Sequence, residues 1–151
     1  MTSAPNAVVT CTLAMLAVGC SGGHWQSRRA DKPLSRAELS SRNLSILDQT
    51  GDPCLRAAFA LALARQGFTL VPHASYHEDL EVTLRITPTP AGTLATGTLR
   101  SDGFFVDEAS FLVDGIDDTA GALARTLAVS ERTAEFVRNS GTPQQRNATG
   151  H

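Results

Sequence analysis

The sequence predicts an α+β fold, in which a small and largely antiparallel sheet carries two helices on one face. Three observations indicate this fold: two segments with helical spacing of apolar residues, a strand with strict alternation between them, and Gly- or Pro-containing turns that separate consecutive elements. The predicted order is β-α-β-β-β-β-α. A chain of 151 residues with net charge −2 and 42% hydrophobic residues can form one such domain.

The first strand is predicted at residues 44–47, and the turn after it leads into a helix. Asp52 can cap this helix, and Pro53 suits its first position. The helix extends to Gln66, and Gly67 can end it in the left-handed conformation. Its buried face is predicted to consist of Leu55, Phe59, Ala62 and Leu63.

Four strands are predicted to follow this helix. Residues 68–71 form a short strand that Pro72 stops, and residues 79–87 form the clearest strand of the chain. That second strand alternates polar residues with Leu80, Val82, Leu84 and Ile86, which is typical of a sheet with one face in water. Residues 93–100 and 104–113 are predicted to form a hairpin, because an Asp-Gly turn separates them.

The second helix is predicted to begin at Asp117 or Asp118 and to end near Asn139, with carboxylates in its first turn. Its buried side is marked by Leu123, Leu127, Ala134 and Val137. We therefore place the α+β domain at residues 43–141, and the composition of residues 142–151 predicts a disordered tail.

Residues 1–19 are predicted to be a signal peptide. An apolar stretch from Ala7 to Val18 stops at Gly19 and Cys20. As a helix it would cover about 18 Å, which is too short for a hydrocarbon core of about 30 Å. Signal peptides have apolar segments of this length. A plain secretory signal and an apolar N-terminal core helix remain as alternatives to the interpretation that follows.

The end of the stretch, Leu16-Ala17-Val18-Gly19-Cys20, resembles the lipobox of bacterial lipoproteins, with Ala17 where that family prefers Leu. In the family, diacylglycerol is attached to the cysteine thiol and the chain is cut before it. The resemblance implies that acyl chains such as palmitate on Cys20 anchor the protein to membrane lipid. Ser21 stands where inner-membrane members of the family carry Asp, so the resemblance implies an outer-membrane protein facing the periplasm.

Residues 20–42 are predicted to comprise the lipidated cysteine and a flexible tether, because the segment after Cys20 is polar. Two acidic residues, Asp31 and Glu38, are outnumbered by five basic ones: Arg28, Arg29, Lys32, Arg36 and Arg42. This excess favours an anionic lipid surface, and a merely solvated linker is the alternative.

The domain itself resembles a known periplasmic domain in its element order and in three phrases: Thr50-Gly51-Asp52-Pro53, Gly67-Phe68-Thr69-Leu70-Val71 and Asp79-Leu80-Glu81-Val82-Thr83-Leu84. The domain occurs at the amino terminus of the propeller protein of the Tol system. It also occurs in lipoproteins related to the curli secretion channel and to penicillin-binding-protein activators. The resemblance covers residues 43–139 and implies a non-enzymatic accessory module that assembles with an unknown envelope protein.

Two sets of residues could carry binding chemistry. His73 and His77, with carboxylates nearby, could hold zinc, although their predicted loop does not bring residues four apart together as a helix would. They carry the alternative hypothesis, a periplasmic or secreted protein that binds a metal or small ligand. The second set is an acidic face that could dock a basic partner, predicted to consist of Asp107, Glu108, Asp114, Asp117 and Asp118. Calcium is a further alternative for its Asp-rich part.

Enzymatic function is not expected, because the sequence has no nucleophile elbow, phosphate-binding loop or dinucleotide fingerprint. We also expect no cofactor. A nucleic-acid partner is not expected either, because the chain lacks a basic excess.

Overall fold

A computed structural model describes residues 25–75 and 77–140 of the chain. Its strands form a single sheet in the order β1-β6-β5-β4-β2-β3, which confirms the predicted α+β class. The strands are β1 (Trp25–Gln26), β2 (Asn43–Asp48), β3 (Thr69–Leu70), β4 (Leu80–Thr89), β5 (Gly92–Ser101) and β6 (Phe104–Leu112). The helices are α1 (Arg36–Ser40), α2 (Pro53–Gln66), α3 (Ile116–Val129) and α4 (Glu131–Asn139).

The centre of the sheet is an antiparallel meander of β4, β5 and β6. On one side of it β2 runs parallel to β4, with Leu44 opposite Leu80, and β3 runs parallel to β2 at the edge. On the other side the two-residue β1 pairs antiparallel with β6. Parallel neighbours need a crossover connection, and α2 provides it between β2 and β3.

The core lies between the sheet and the helices α2 and α3, which pack on the same face. They meet over Gly97 of β5, where an added Cβ would lie 3.4 Å from Leu127 Cδ1 and 3.6 Å from Phe59 Cζ. A Cβ here would already be in van der Waals contact with both helices, so little space remains for a longer side chain. Three of the four alternating apolar residues predicted for β4 are fully buried, namely Leu80, Val82 and Leu84, whereas the prediction is wrong for Ile86, which is 37% exposed. Each fully buried side chain of this kind contributes about 1.5–3 kcal/mol by burial.

The predicted ends of α2 are confirmed. The Asp52 carboxylate accepts hydrogen bonds from the backbone N–H groups of Cys54, at 3.0 Å, and Leu55, at 3.1 Å. Gly67 closes the helix with a φ of 118°. A Cβ on Gly67 would lie 2.9 Å from Arg36 Cγ, so this position favours glycine both for its backbone angle and for its close contact with α1.

The tether predicted for residues 20–42 is wrong from Trp25 onward, because this segment is part of the domain. Trp25 pairs with Ser110 of β6, and α1 begins with a capping box in which Ser35 and Glu38 bond to each other's backbone N–H groups. The segment also contributes three side chains to the core, namely Ala30, Leu34 and Leu39. The folded domain therefore begins by Trp25, and the predicted boundary at Asn43 is corrected.

Two of the charges that made this segment look like a solvated linker, those of Arg42 and Glu38, have partners in the fold. Arg42 is only 2% exposed and donates from Nη2 to the carbonyl of Val137, at 2.8 Å. Arg138 donates from Nε to Glu38, at 3.0 Å, and from Nη1 to the carbonyl of Lys32, at 2.8 Å. Composition alone could not show that these residues join the N-terminal segment to α4.

The second predicted helix is also corrected, because it is broken at Ser130 into α3 and α4. The backbone groups released by the break bond to the N-terminal segment: Glu131 N–H donates to the Arg28 carbonyl and Ala30 N–H to the Val129 carbonyl. The Ser130 hydroxyl caps α4 by accepting a hydrogen bond from the N–H of Thr133. The break therefore depends on contacts with residues about one hundred positions away.

Within the described part of the chain, no helix combines the length and apolar character needed to cross a membrane. The predicted signal peptide, Cys20 and the predicted tail at residues 142–151 lie outside the described residues.

Candidate functional site

His73, Glu78 and Glu81 come together beside β4, at the sheet face opposite the helices. The Nδ1 atom of His73 lies 3.5 Å from Glu81 Oε2 and 4.0 Å from Glu78 Oε1. One possible ligand atom from each of the three residues lies within 4.8 Å of the other two. We call these three residues the His-Glu cluster.

The loop between β3 and β4 gives the cluster its shape. Val71 N–H still bonds to the Leu44 carbonyl, and Asp79 is fastened to β2 because its N–H bonds to the Asn43 carbonyl. Between these anchors the chain turns at Ala74, which has a φ of 61°. The turn returns the chain toward its start, so His73 lies beside residues that follow it by five and eight positions.

Two hydroxyl groups on neighbouring strands orient the carboxylates. Ser45 of β2 donates from Oγ to Glu78 Oε1. Thr83 of β4 lies 3.5 Å from Glu81 Oε1, at the long limit for a hydrogen bond. The carboxylates are partly buried, with 18% of the Glu78 side chain and 28% of the Glu81 side chain exposed, whereas His73 is 40% exposed. The cluster is therefore held from the sheet side and open to solvent on the other.

A cavity of about 330 Å³ lies next to the cluster. Its wall contains four carboxylates and a single guanidinium group, so its character is acidic. The residues that line it are Ser75, Glu78, Asp79, Leu80, Glu81, Arg100, Asp102 and Gly103.

The structure changes the composition of the predicted histidine site. His73 belongs to the cluster. Among the described residues, the group of possible metal ligands does not include His77. His77 is exposed, and its backbone N–H bonds to Ser75 Oγ. The carboxylates Glu78 and Glu81 take its place. Sequence analysis noted only that carboxylates lie near the two histidines, and the missing information was the turn that selects His73.

The five acidic residues predicted as one docking face do not form one. Asp107 is completely buried and accepts hydrogen bonds from Ser27 Oγ and, at 3.5 Å, Thr133 Oγ1. Glu108, the next residue of β6, points to the opposite sheet face, where Thr98 donates to it at 2.7 Å. The prediction therefore fails for Asp107, while Asp114, Asp117 and Asp118 are exposed around the start of α3.

Sequence analysis did not single out the aromatic pair after the β5–β6 turn. Phe104 is 77% exposed and Phe105 is 50% exposed, and the Arg132 guanidinium lies 5.9 Å from the centre of the Phe105 ring. The sequence did contain a signal for an exposed aromatic side chain, since two adjacent phenylalanines directly follow an Asp-Gly turn. Consecutive strand residues point to opposite faces of the sheet, so the two cannot both enter the core.

No protein-family model matches the sequence, and no curated protein matches it either. Among the solved structures that match, three share part of its fold at low identity as follows. TolB from Acinetobacter baumannii is 13% identical with a TM-score of 0.48, over 78% of this chain and 32% of TolB, so this chain spans about a third of that protein.

A PelC dodecamer from Paraburkholderia phytofirmans, solved as a point variant, is 14% identical with a TM-score of 0.43, over 72% of this chain and 95% of PelC. A minor lipoprotein from Acinetobacter baumannii is 13% identical with a TM-score of 0.32, over 68% of this chain and 94% of its own. These likenesses concern the fold alone.

Proposed function

We propose that this protein is a lipoprotein of the bacterial cell envelope, anchored to the outer membrane on its periplasmic side, and that it acts as a non-enzymatic accessory module. The observation that carries the proposal is the position of Cys20. It directly follows the apolar stretch that ends at Val18 and Gly19, and it precedes the first strand, at Trp25, by five residues.

The anchor has a direct physical consequence for the domain. Two acyl chains suffice for stable attachment, because each buried methylene contributes about 0.8 kcal/mol. The five residues from Cys20 to Trp25 reach at most about 18 Å when fully extended. With residues 25–42 folded into the domain, the long tether predicted from the sequence is replaced by a short connection. We infer that the domain lies close to the bilayer surface.

The direction of β1 gives the anchored domain an orientation. Because β1 is antiparallel to β6, with Trp25 opposite Ser110 and Gln26 opposite Ala109, the chain enters β1 from the end of the sheet where β6 finishes. The β5–β6 turn lies about 20 Å away at the other end, at about 3.3 Å per residue. In the proposed arrangement this turn points away from the membrane.

The accessory role is supported by the polar face of the sheet, which is the face on which α2 and α3 do not pack. Its central residues Thr96 and Ser110 carry hydroxyl groups that are hydrogen-bonded to each other at 2.9 Å and buried beneath the longer side chains around them. At its surface Arg85 Nη2 lies 3.9 Å from Glu108 Oε2, and half of the Arg85 side chain is exposed. Exposed side chains of both charges suit a protein partner, for which charge complementarity sets specificity more than affinity.

Intact-mass analysis of membranes from the native host tests the proposal. The wild type and Cys54→Ala should both show the mass of residues 20–151 plus diacylglycerol and any further acyl group, whereas Cys20→Ala should carry no lipid and leave the membrane fraction. After solubilisation in mild detergent, the wild type should elute in an assembly larger than its monomer.

A wild-type chain that retains Met1 and carries no lipid would overturn the anchor. A lipidated chain that elutes only as a monomer would overturn the accessory role while leaving the anchor intact.

A further inference from the structure

We propose that the His-Glu cluster, His73 with Glu78 and Glu81, binds one divalent transition-metal ion, and that Zn²⁺ fits it. The inference goes beyond the proposed function, because it concerns a site on the folded domain and does not depend on how the chain is anchored.

The spacing of the three side chains matches a metal site that needs little rearrangement. Zinc binds imidazole nitrogen and carboxylate oxygen at about 2.0–2.2 Å, so ligand atoms around a tetrahedral ion are about 3.3–3.6 Å apart. The distance from His73 Nδ1 to Glu81 Oε2 is 3.5 Å, and that to Glu78 Oε1 is 4.0 Å. The three possible ligand atoms lie within 4.8 Å of one another, so the Glu78 carboxylate must move closer to complete the site.

The ligand types select the class of ion. One imidazole and two carboxylates form a mixed nitrogen and oxygen set, which suits zinc and related transition ions. Calcium and magnesium take oxygen ligands, and His73 would serve them poorly. Three protein ligands leave one tetrahedral position that water can fill, and the 40% exposure of His73 gives solvent access to the cluster.

The surroundings favour a cation over a simple ion pair. One imidazolium can neutralise only one of the two carboxylates, but Glu78 and Glu81 both have an oxygen within 4.0 Å of the same nitrogen. The wall of the adjoining cavity adds the carboxylates of Asp79 and Asp102, against the single guanidinium group of Arg100. The hydroxyl groups of Ser45 and Thr83 orient the two ligand carboxylates, as outer-shell partners do in metal sites.

Zinc titration of the chelator-stripped full chain in detergent micelles, with equilibrium dialysis, tests the proposal. We expect one Zn²⁺ per chain, and at least tenfold weaker binding for His73→Ala and Glu81→Gln. His77→Ala is the control for His73→Ala, and Glu135→Gln is the control for Glu81→Gln. Each control removes the same chemical group from an exposed residue outside the cluster, and both should bind zinc within twofold of the wild type. The NMR signals of the His73 imidazole should shift on zinc addition while those of His77 remain in place.

Three outcomes would overturn the proposal: no saturable binding by the wild type, an equal loss of affinity in His77→Ala, or binding of Ca²⁺ in preference to Zn²⁺. Circular dichroism of each variant shows whether it is folded. Ser45→Ala provides a second route, because it removes an orienting hydroxyl and should weaken binding while all three ligands remain. Cys20→Ala should bind zinc like the wild type, so failure of this site and failure of the anchor are distinguishable.

Discussion

Glu38 illustrates at the scale of one residue how the fold uses a charge that looks solvated in the sequence. Its carboxylate accepts a hydrogen bond from Arg138 Nε, at 3.0 Å, and another from the backbone N–H of Ser35, at 2.7 Å. These interactions, the one with Arg138 first, lower the pKa of Glu38 from 4.5 to about 2. The carboxylate therefore remains charged in the folded protein at pH values that protonate it in the unfolded chain.

This lowered pKa predicts a pH dependence of stability. Because the folded pKa lies below the unfolded one, the stabilisation is complete above about pH 5 and is lost as the pH falls from 4.5 to about 2. Glu38→Gln keeps a side chain that can complete the capping box but removes the charge. In thermal unfolding, the wild type should melt above Glu38→Gln at pH 7, and the difference should vanish near pH 2.

Glu135→Gln is the control for this experiment, because Glu135 is an exposed carboxylate on α4, the same helix as Arg138. Its melting difference from the wild type should be small and should not follow the same pH course. A gap between wild type and Glu38→Gln that stays constant from pH 7 to pH 2 would contradict the assignment of the lowered pKa.

At the scale of elements, the N-terminal segment departs most from the sequence prediction. Its composition is polar and basic, but the capping-box pattern Ser35-Arg36-Ala37-Glu38 marked a helix start that composition obscured. The segment also carries Leu34 and Leu39 into the core. A helix of five residues has no independent stability, so α1 exists because its apolar side is buried against the rest of the domain.

Two leucines of opposite environment test this placement. Leu39 is 3% exposed on α1, and Leu61 is 52% exposed on α2. Leu39→Ala should lower the free energy of unfolding by about 2–5 kcal/mol, as for buried leucines generally, whereas Leu61→Ala should change it by less than about 0.5 kcal/mol. Urea denaturation of both variants provides the comparison. If both variants changed the free energy of unfolding equally and negligibly, the interpretation of residues 25–42 as part of the domain would be contradicted.

The break at Ser130 in the second predicted helix is another feature that the local sequence does not predict. Nothing in the sequence from Asp117 to Asn139 requires an interruption, since serine costs a helix little. The break forms because Arg28 and Ala30 supply partners for the backbone groups that it exposes. A strand-like segment lying across a helix cannot be inferred from helical periodicity.

At the scale of the whole molecule, the proposed anchor and the described domain together predict where a reagent can reach the protein. Cys54 is exposed at the start of α2, whereas Cys20 in a lipoprotein carries a thioether and has no free thiol. A membrane-impermeant maleimide should therefore label Cys54 only after the outer membrane has been permeabilised.

Cys54→Ala should abolish this labelling. Labelling that persists in Cys54→Ala would reveal a free thiol elsewhere and contradict lipidation of Cys20. Labelling of the wild type in intact cells would place the domain on the outer surface of the cell and contradict the periplasmic orientation.

The sequence by itself determined the α+β class, the caps of α2 and the burial of Leu80, Val82 and Leu84 in β4, because each depends on neighbours along the chain. It also marked Cys20 as the residue on which the proposed anchor depends. Only the tertiary structure decided that residues 25–42 belong to the domain, that Asp107 is buried, and that His73 meets Glu78 and Glu81. The physical reason is that burial and charge pairing bring together residues that are distant in sequence, and the local sequence pattern does not show which residues will be partners.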